Sequence, residues 1–126
     1  MLKTYSGSCH CGLIQFEVSA DINHLRECDC SICIRRGALN FRVAKESLTI
    51  FTPLEEMRLY QWGSGTAEDY FCPKCGILPF RKPSQLTQIE IAQGKIPFTG
   101  WAVNARCLNN LDLSQIPIIK IEGSIL

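Results

Sequence analysis

Phe71-Cys72-Pro73-Lys74-Cys75-Gly76 has the build of a zinc knuckle. Pro73 restricts the turn, and Gly76 permits the positive-φ backbone that lets amides approach the two sulfurs. Two thiolates are half of a closed zinc site, because structural zinc takes four soft or borderline ligands in a tetrahedron. Cys9-His10-Cys11 offers the other half: a one-residue gap makes an awkward disulfide but presents two thiolates to one metal. His10, between the two, is expected to turn away from that metal into a solvated loop. Pairing Cys9 and Cys11 with Cys72 and Cys75 draws two distant hairpins together. A redox role for Cys72 and Cys75 is disfavoured, since such a pair should open a helix and here runs into Gly76 and Pro79.

A third group, Cys28-x-Cys30-x-x-Cys33, supplies three thiols within six residues. Three is the ligand count of a catalytic zinc that keeps its fourth position for water or substrate. The alternative is that Cys107 or His24 closes this group as a second structural zinc. The 126 residues hold eight cysteines, and neither an apolar signal segment nor 18 consecutive apolar residues accompany them. A cytoplasmic location and no membrane partner are therefore expected, where thiols stay reduced and cysteine groups imply metal or thiol chemistry. With 13 Lys and Arg against 12 Asp and Glu, and no basic run longer than Arg35-Arg36, nucleic acid is a poor partner.

Between the cysteines the pattern is one of short β runs. Ile14, Phe16 and Val18 alternate in Leu13–Val18; Leu39, Phe41 and Val43 alternate in Leu39–Val43; and 48–51, 57–62 and 89–92 continue the style. Breaks fall at Gly37, Pro53, Gly63-Ser64-Gly65, Pro83-Ser84, Gly94 and Pro97. Helix is expected only as single turns, at 31–36 with Ser31 as cap and at 112–115. Neither repeat nor linker interrupts residues 1–126, so the expectation is one β-rich domain. Its modest core would be compensated by structural zinc, which can contribute on the order of 10 kcal/mol to folding. Trp62 and Trp101 are expected in that core, as is Cys107 as a small buried hydrophobe.

In order and spacing, five segments resemble the glutathione-dependent formaldehyde-activating enzyme family, whose domain also occurs in the centromere protein V group. They are Gly7-Ser8-Cys9-His10-Cys11-Gly12, Cys28-Asp29-Cys30-Ser31-Ile32-Cys33, Trp62-Gly63, Phe71 to Gly76, and Val103-Asn104-Ala105-Arg106-Cys107-Leu108. The resemblance implies a mainly β fold with very little helix, a β-tent of small antiparallel sheets stapled by two zinc ions. It also implies a structural zinc on Cys9, Cys11, Cys72 and Cys75 and a catalytic one on Cys28, Cys30 and Cys33. The activity implied is that of a carbon–sulfur lyase, joining formaldehyde and glutathione into S-hydroxymethylglutathione. Relatives often carry histidine where this chain has Asp69 and Leu78. Asp69 retains the capacity to accept a proton or a hydrogen bond, whereas Leu78 does not.

An open zinc on three thiolates suits activation of a substrate thiol, since the ion holds the sulfur as a thiolate at neutral pH. Arg35, Arg36, Asn104 and Arg106 are candidates for holding the carboxylates and peptide of glutathione, or of a related thiol, while a small electrophile reacts. The competing expectation is a non-catalytic, zinc-stabilised binding module with two closed sites.

Overall fold

The computed structural model describes residues 1–125. Two sheets form around the alternating segments. The smaller has the order β1–β2–β5, from β1 (Lys3–Ser8), β2 (Gln15–Ala20) and β5 (Leu48–Ile50). The larger collects β3 (Leu25–Cys28), β4 (Asn40–Val43), β6 (Arg58–Tyr60), β7 (Glu68–Phe71), β8 (Phe80–Lys82), β9 (Trp101–Asn104) and β10 (Ile118–Ile121). Its order is β10–β3–β4–β9–β8–β7–β6. Every pairing is antiparallel except β10 with β3. The mainly β expectation is met, with the refinement that the larger sheet has seven strands and one parallel edge.

Period-two alternation sets which side chains enter the core. Phe16 and Val18 of β2 are buried with Ile14, while Gln15 is exposed and Glu17 half-buried. They meet Phe80 of β8 and Trp101 and Val103 of β9 in one cluster. Phe16 and Trp101 both pack edge-on against Phe80 at 5.4 Å between ring centroids, the T-shaped geometry favoured by aromatic quadrupoles. A second, smaller cluster of Leu25, Leu39 and Ala105 lies beneath β3 and β4.

Helix is as scarce as expected. α1 (Ser31–Arg36) occupies its expected place, but Cys30 rather than Ser31 is the N-cap residue and no side chain caps the turn. The turn at 112–115 forms as a 3-10 turn over Leu113–Gln115, with Asp112 Oδ1 accepting from the Ser114 amide.

Three further expectations need correction. Residues 89–92 are not a strand: they lie in α2 (Gln88–Ala92), opened by a capping box in which Thr87 Oγ1 accepts from the Glu90 amide and the Glu90 side chain accepts from the Thr87 amide. That reciprocal pair satisfies two amides a strand would have left to a neighbour. Trp62 is not a core residue; it sits 37% exposed beyond β6, the uncovered edge of the larger sheet, whereas Trp101 is buried as expected. Cys107 is only half-buried, packed against the rim of the main cluster.

Candidate metal centres

Both cysteine groups are assembled by hairpins and strand ends. Cys9 and Cys11 lie in the β1–β2 connection, a tight turn closed by the Gly12 amide donating to the Cys9 carbonyl. Cys72 and Cys75 lie in the β7–β8 connection, where the Gly76 amide donates to the Cys72 carbonyl and Gly76 has φ of 78°. That conformation suits glycine, as the knuckle reading requires. The two connections belong to different sheets, so their meeting staples one sheet to the other.

All four Sγ atoms lie within 4.8 Å of one another. Cys9 to Cys11 is 3.7 Å and Cys11 to Cys72 is 3.5 Å. A zinc tetrahedron with Zn–S of about 2.3 Å has edges of about 3.8 Å, so the spacing fits the ion. Backbone amides point at the sulfurs as they do where thiolates are expected: Ile14 donates to Cys9, and Lys74 and Cys75 both donate to Cys72. All eight cysteines are free thiols rather than disulfides.

The second group forms where β3 runs into α1. Cys28 ends β3, Cys30 is the N-cap residue, and Cys33 is buried on the first turns of the helix. Their sulfurs also lie within 4.8 Å of one another, and the Cys30 amide donates to Cys28 Sγ. Neither of the residues weighed as a fourth ligand joins them. The His24 ring pairs with Asn23 Oδ1 at 2.6 Å and packs on Phe41. Cys107 packs against the main cluster instead, and burial above all, with the charges of Cys9 and Cys75 adding to it, pushes its thiol up to about 11. Among the described residues the second group therefore contains three cysteines, a donor set suited to zinc with one position left over.

Burial governs the electrostatics of this group, with crowding of the thiols adding to it. Burial pushes the Cys33 thiol up to about 12, the Cys30 hydrogen bond and the charges of Cys28 and Cys30 add to that, and the Arg81 guanidinium opposes it. Cys28 is likewise raised, by burial above all. Three thiols this close resist ionising together unless a cation neutralises them, which is what a divalent metal supplies.

Beside this group is a buried ion cluster. Asp69 of β7 is fully buried, accepts a hydrogen bond from Arg81 Nε at 2.5 Å, and has Arg36 Nη1 3.0 Å from Oδ2, though not in line for a hydrogen bond. Arg36 closes α1, three residues after Cys33, so Asp69 ties the cysteine-bearing helix to the β7–β8 hairpin. Its carboxylate is occupied by two guanidiniums. Leu78 is buried beside the same hairpin, and its carbonyl accepts from Asn104 Nδ2.

The remaining candidates are held by backbone contacts. Asn104 caps a 3-10 turn, its Oδ1 accepting from the Arg106 amide. Arg106 Nε donates to the Gly37 carbonyl at the end of α1, and Arg35 Nη1 donates to the Ser31 carbonyl. Arg81 has no place among the expected residues. Its signal was positional: Asp69 and Arg81, opposite charges on either side of the knuckle, face each other across the β7–β8 register.

No helix among the described residues is long and apolar enough to cross a membrane. A crystal structure of a protein from Rhodobacter sphaeroides is similar to this chain at a TM-score of 0.71 and 28% identity, covering 90% of this chain and 99% of that one. The model of the family described as "Glutathione-dependent formaldehyde-activating enzyme" matches residues 4–97. With both cysteine groups formed within that match, the chain belongs to the glutathione-dependent formaldehyde-activating enzyme family.

Proposed function

We propose that the chain acts as one zinc-binding unit and as a carbon–sulfur lyase-like enzyme, joining a small thiol such as glutathione reversibly to formaldehyde or another small electrophile. The observation that carries this reading is the inequality of the two cysteine groups, four in one and three in the other. A zinc ion on Cys28, Cys30 and Cys33 would supply a soft Lewis acid able to hold a substrate sulfur as its thiolate. Cys9, Cys11, Cys72 and Cys75 have the complement of a closed structural site, which serves the fold.

The residues around the three-cysteine group do the positioning. Three thiolates carry more negative charge than one divalent ion offsets, and a substrate thiolate adds another. Arg36 and Arg81, with Asp69 between them, leave a net positive charge beside the group to compensate. Both guanidiniums keep some solvent contact, with side chains 20% and 15% exposed, so an anionic substrate can approach them. Arg106 is an exposed third cation near the end of α1 for a substrate carboxylate, while Asn104 holds the turn that carries it. Asp69, enclosed by two cations, orients them.

The test is consumption of formaldehyde with glutathione by wild type and by Cys30→Ser, each corrected for the spontaneous reaction. Wild type should exceed the corrected background and Cys30→Ser should not. Equal corrected rates would remove formaldehyde activation from consideration.

A further inference from the structure

The strand beside the three-cysteine group comes from the other end of the chain. β10 runs parallel to β3 with Ile118 opposite Leu25 and Ile121 opposite Cys28. Past the strand, the chain stays on the cysteines. The Asp29 amide donates to the Ile121 carbonyl at 3.0 Å, and the Ser124 amide donates to Asp29 Oδ1 at 2.9 Å. Gly123 then lies directly against the Cys28 sulfur: a Cβ built on it would stand 2.2 Å from Cys28 Sγ and 3.2 Å from the Cys30 Cβ. No side chain fits there unless the sulfur or the segment moves, so glycine is required for close approach rather than for an unusual φ.

What holds this segment is slight apart from those contacts. β10 is a sheet edge whose partner is β3, and none of its four side chains is buried. Ile118 and Ile119 are about half exposed, and Lys120 pairs with Glu27 at the surface. An element with few buried apolar contacts belongs to the low end of local stability. Backbone hydrogen bonds to β3 and the clasp around Asp29 therefore supply most of its docking, and the Ile121 end of the pairing together with the clasp depends on Cys28 and Asp29 being fixed.

We propose that residues 118–125 form a strap that positions the three-cysteine centre, with docking of the strap and metal loading at Cys28, Cys30 and Cys33 reinforcing each other. This rests on the reading that those cysteines hold zinc. A bound ion fixes Cys28 and Asp29 and so presents a finished edge to β10. The docked strap in turn holds the Cys28 sulfur in place through Gly123. Coupling between two such events is reciprocal, and its usual size is about 5- to 150-fold in affinity.

The experiment uses the full chain as wild type, Gly123→Val and Asp29→Ala, titrated with zinc against a chromogenic chelator, and amide exchange of wild type with one and two equivalents of zinc. Gly123→Val adds bulk against the sulfur, whereas Asp29→Ala removes the Ser124 clasp without bulk. The expected result is two zinc ions in wild type, a loss of at least about fivefold in affinity at one site in both variants with the other unchanged, and slowed exchange across 118–121 on the second equivalent. If Gly123→Val does not fold, Asp29→Ala and the exchange data carry the test. Wild-type affinity at both sites in the variants, or unchanged exchange across 118–121, would overturn the strap while leaving the zinc reading standing. A wild type that binds one zinc would overturn both.

Discussion

Asp69→Asn keeps the shape of the side chain and removes its charge, leaving Arg36 and Arg81 without their shared counter-ion. Breaking a fully buried ion pair by deleting one partner costs about 3–5 kcal/mol. Here the carboxylate is fully buried but the guanidinium side chains remain 20% and 15% exposed. Solvent therefore relieves part of the uncompensated charge, and about 2–4 kcal/mol is the reasonable loss. Unfolding entropy of about 2.1 cal/mol/K per residue over 126 residues makes each kcal/mol worth about 4 °C. The melting temperature should fall by about 8–15 °C, measured at a fixed saturating zinc concentration so that metal binding does not shift the comparison. Because Arg36 closes the helix that carries Cys33, zinc affinity at one site should weaken as well. Arg81→Met alone should destabilise, and combined with Asp69→Asn it should cost clearly less than the two single changes summed. A melting temperature within about 2 °C of wild type, or strict additivity in the double variant, would refute the view that Asp69 binds the two arginines together.

Cys75→Ser removes one of the four ligands that join the two sheets. Structural zinc contributes on the order of 10 kcal/mol, comparable with the whole stability of a domain, so one equivalent of zinc and the cooperative thermal transition should be lost together; a wild-type transition in that variant would contradict the pairing. Cys107, whose thiol burial pushes up to about 11, stays protonated through neutral pH, so its alkylation should rise roughly tenfold per pH unit between about 7.5 and 9.5. A plateau near pH 8.5, typical of a free thiol, would refute the burial argument.

The two cysteine groups are legible in the sequence because the spacing of candidate ligands is a local property. Pro73 and Gly76 announce the knuckle, and four sulfurs find one another because each pair sits in a hairpin connection. What escapes is whatever depends on register or on distant pairing. Asp69 looks like a free carboxylate until β7 is set against β8 and Arg81 appears opposite. Ile118–Ile121 carries no alternation, since its four side chains lie on an outer edge, and only its pairing with β3 brings Gly123 to Cys28. Ile89-Glu90-Ile91-Ala92 alternates as a strand would, but the Thr87 and Glu90 capping pair three residues apart outweighs that short pattern. Trp62 misleads for a related reason: a large aromatic favours burial, yet among the described residues no strand pairs with the β6 edge beside it.

The proposed chemistry requires Cys28, Cys30 and Cys33 to hold zinc with one position open. Its most direct test is the crystal structure of the zinc-loaded protein, read at the fourth ligand of that ion. Water there, replaced by sulfur when a small thiol is added, is the predicted result. A protein donor in that position, the Cys107 sulfur above all, would contradict it.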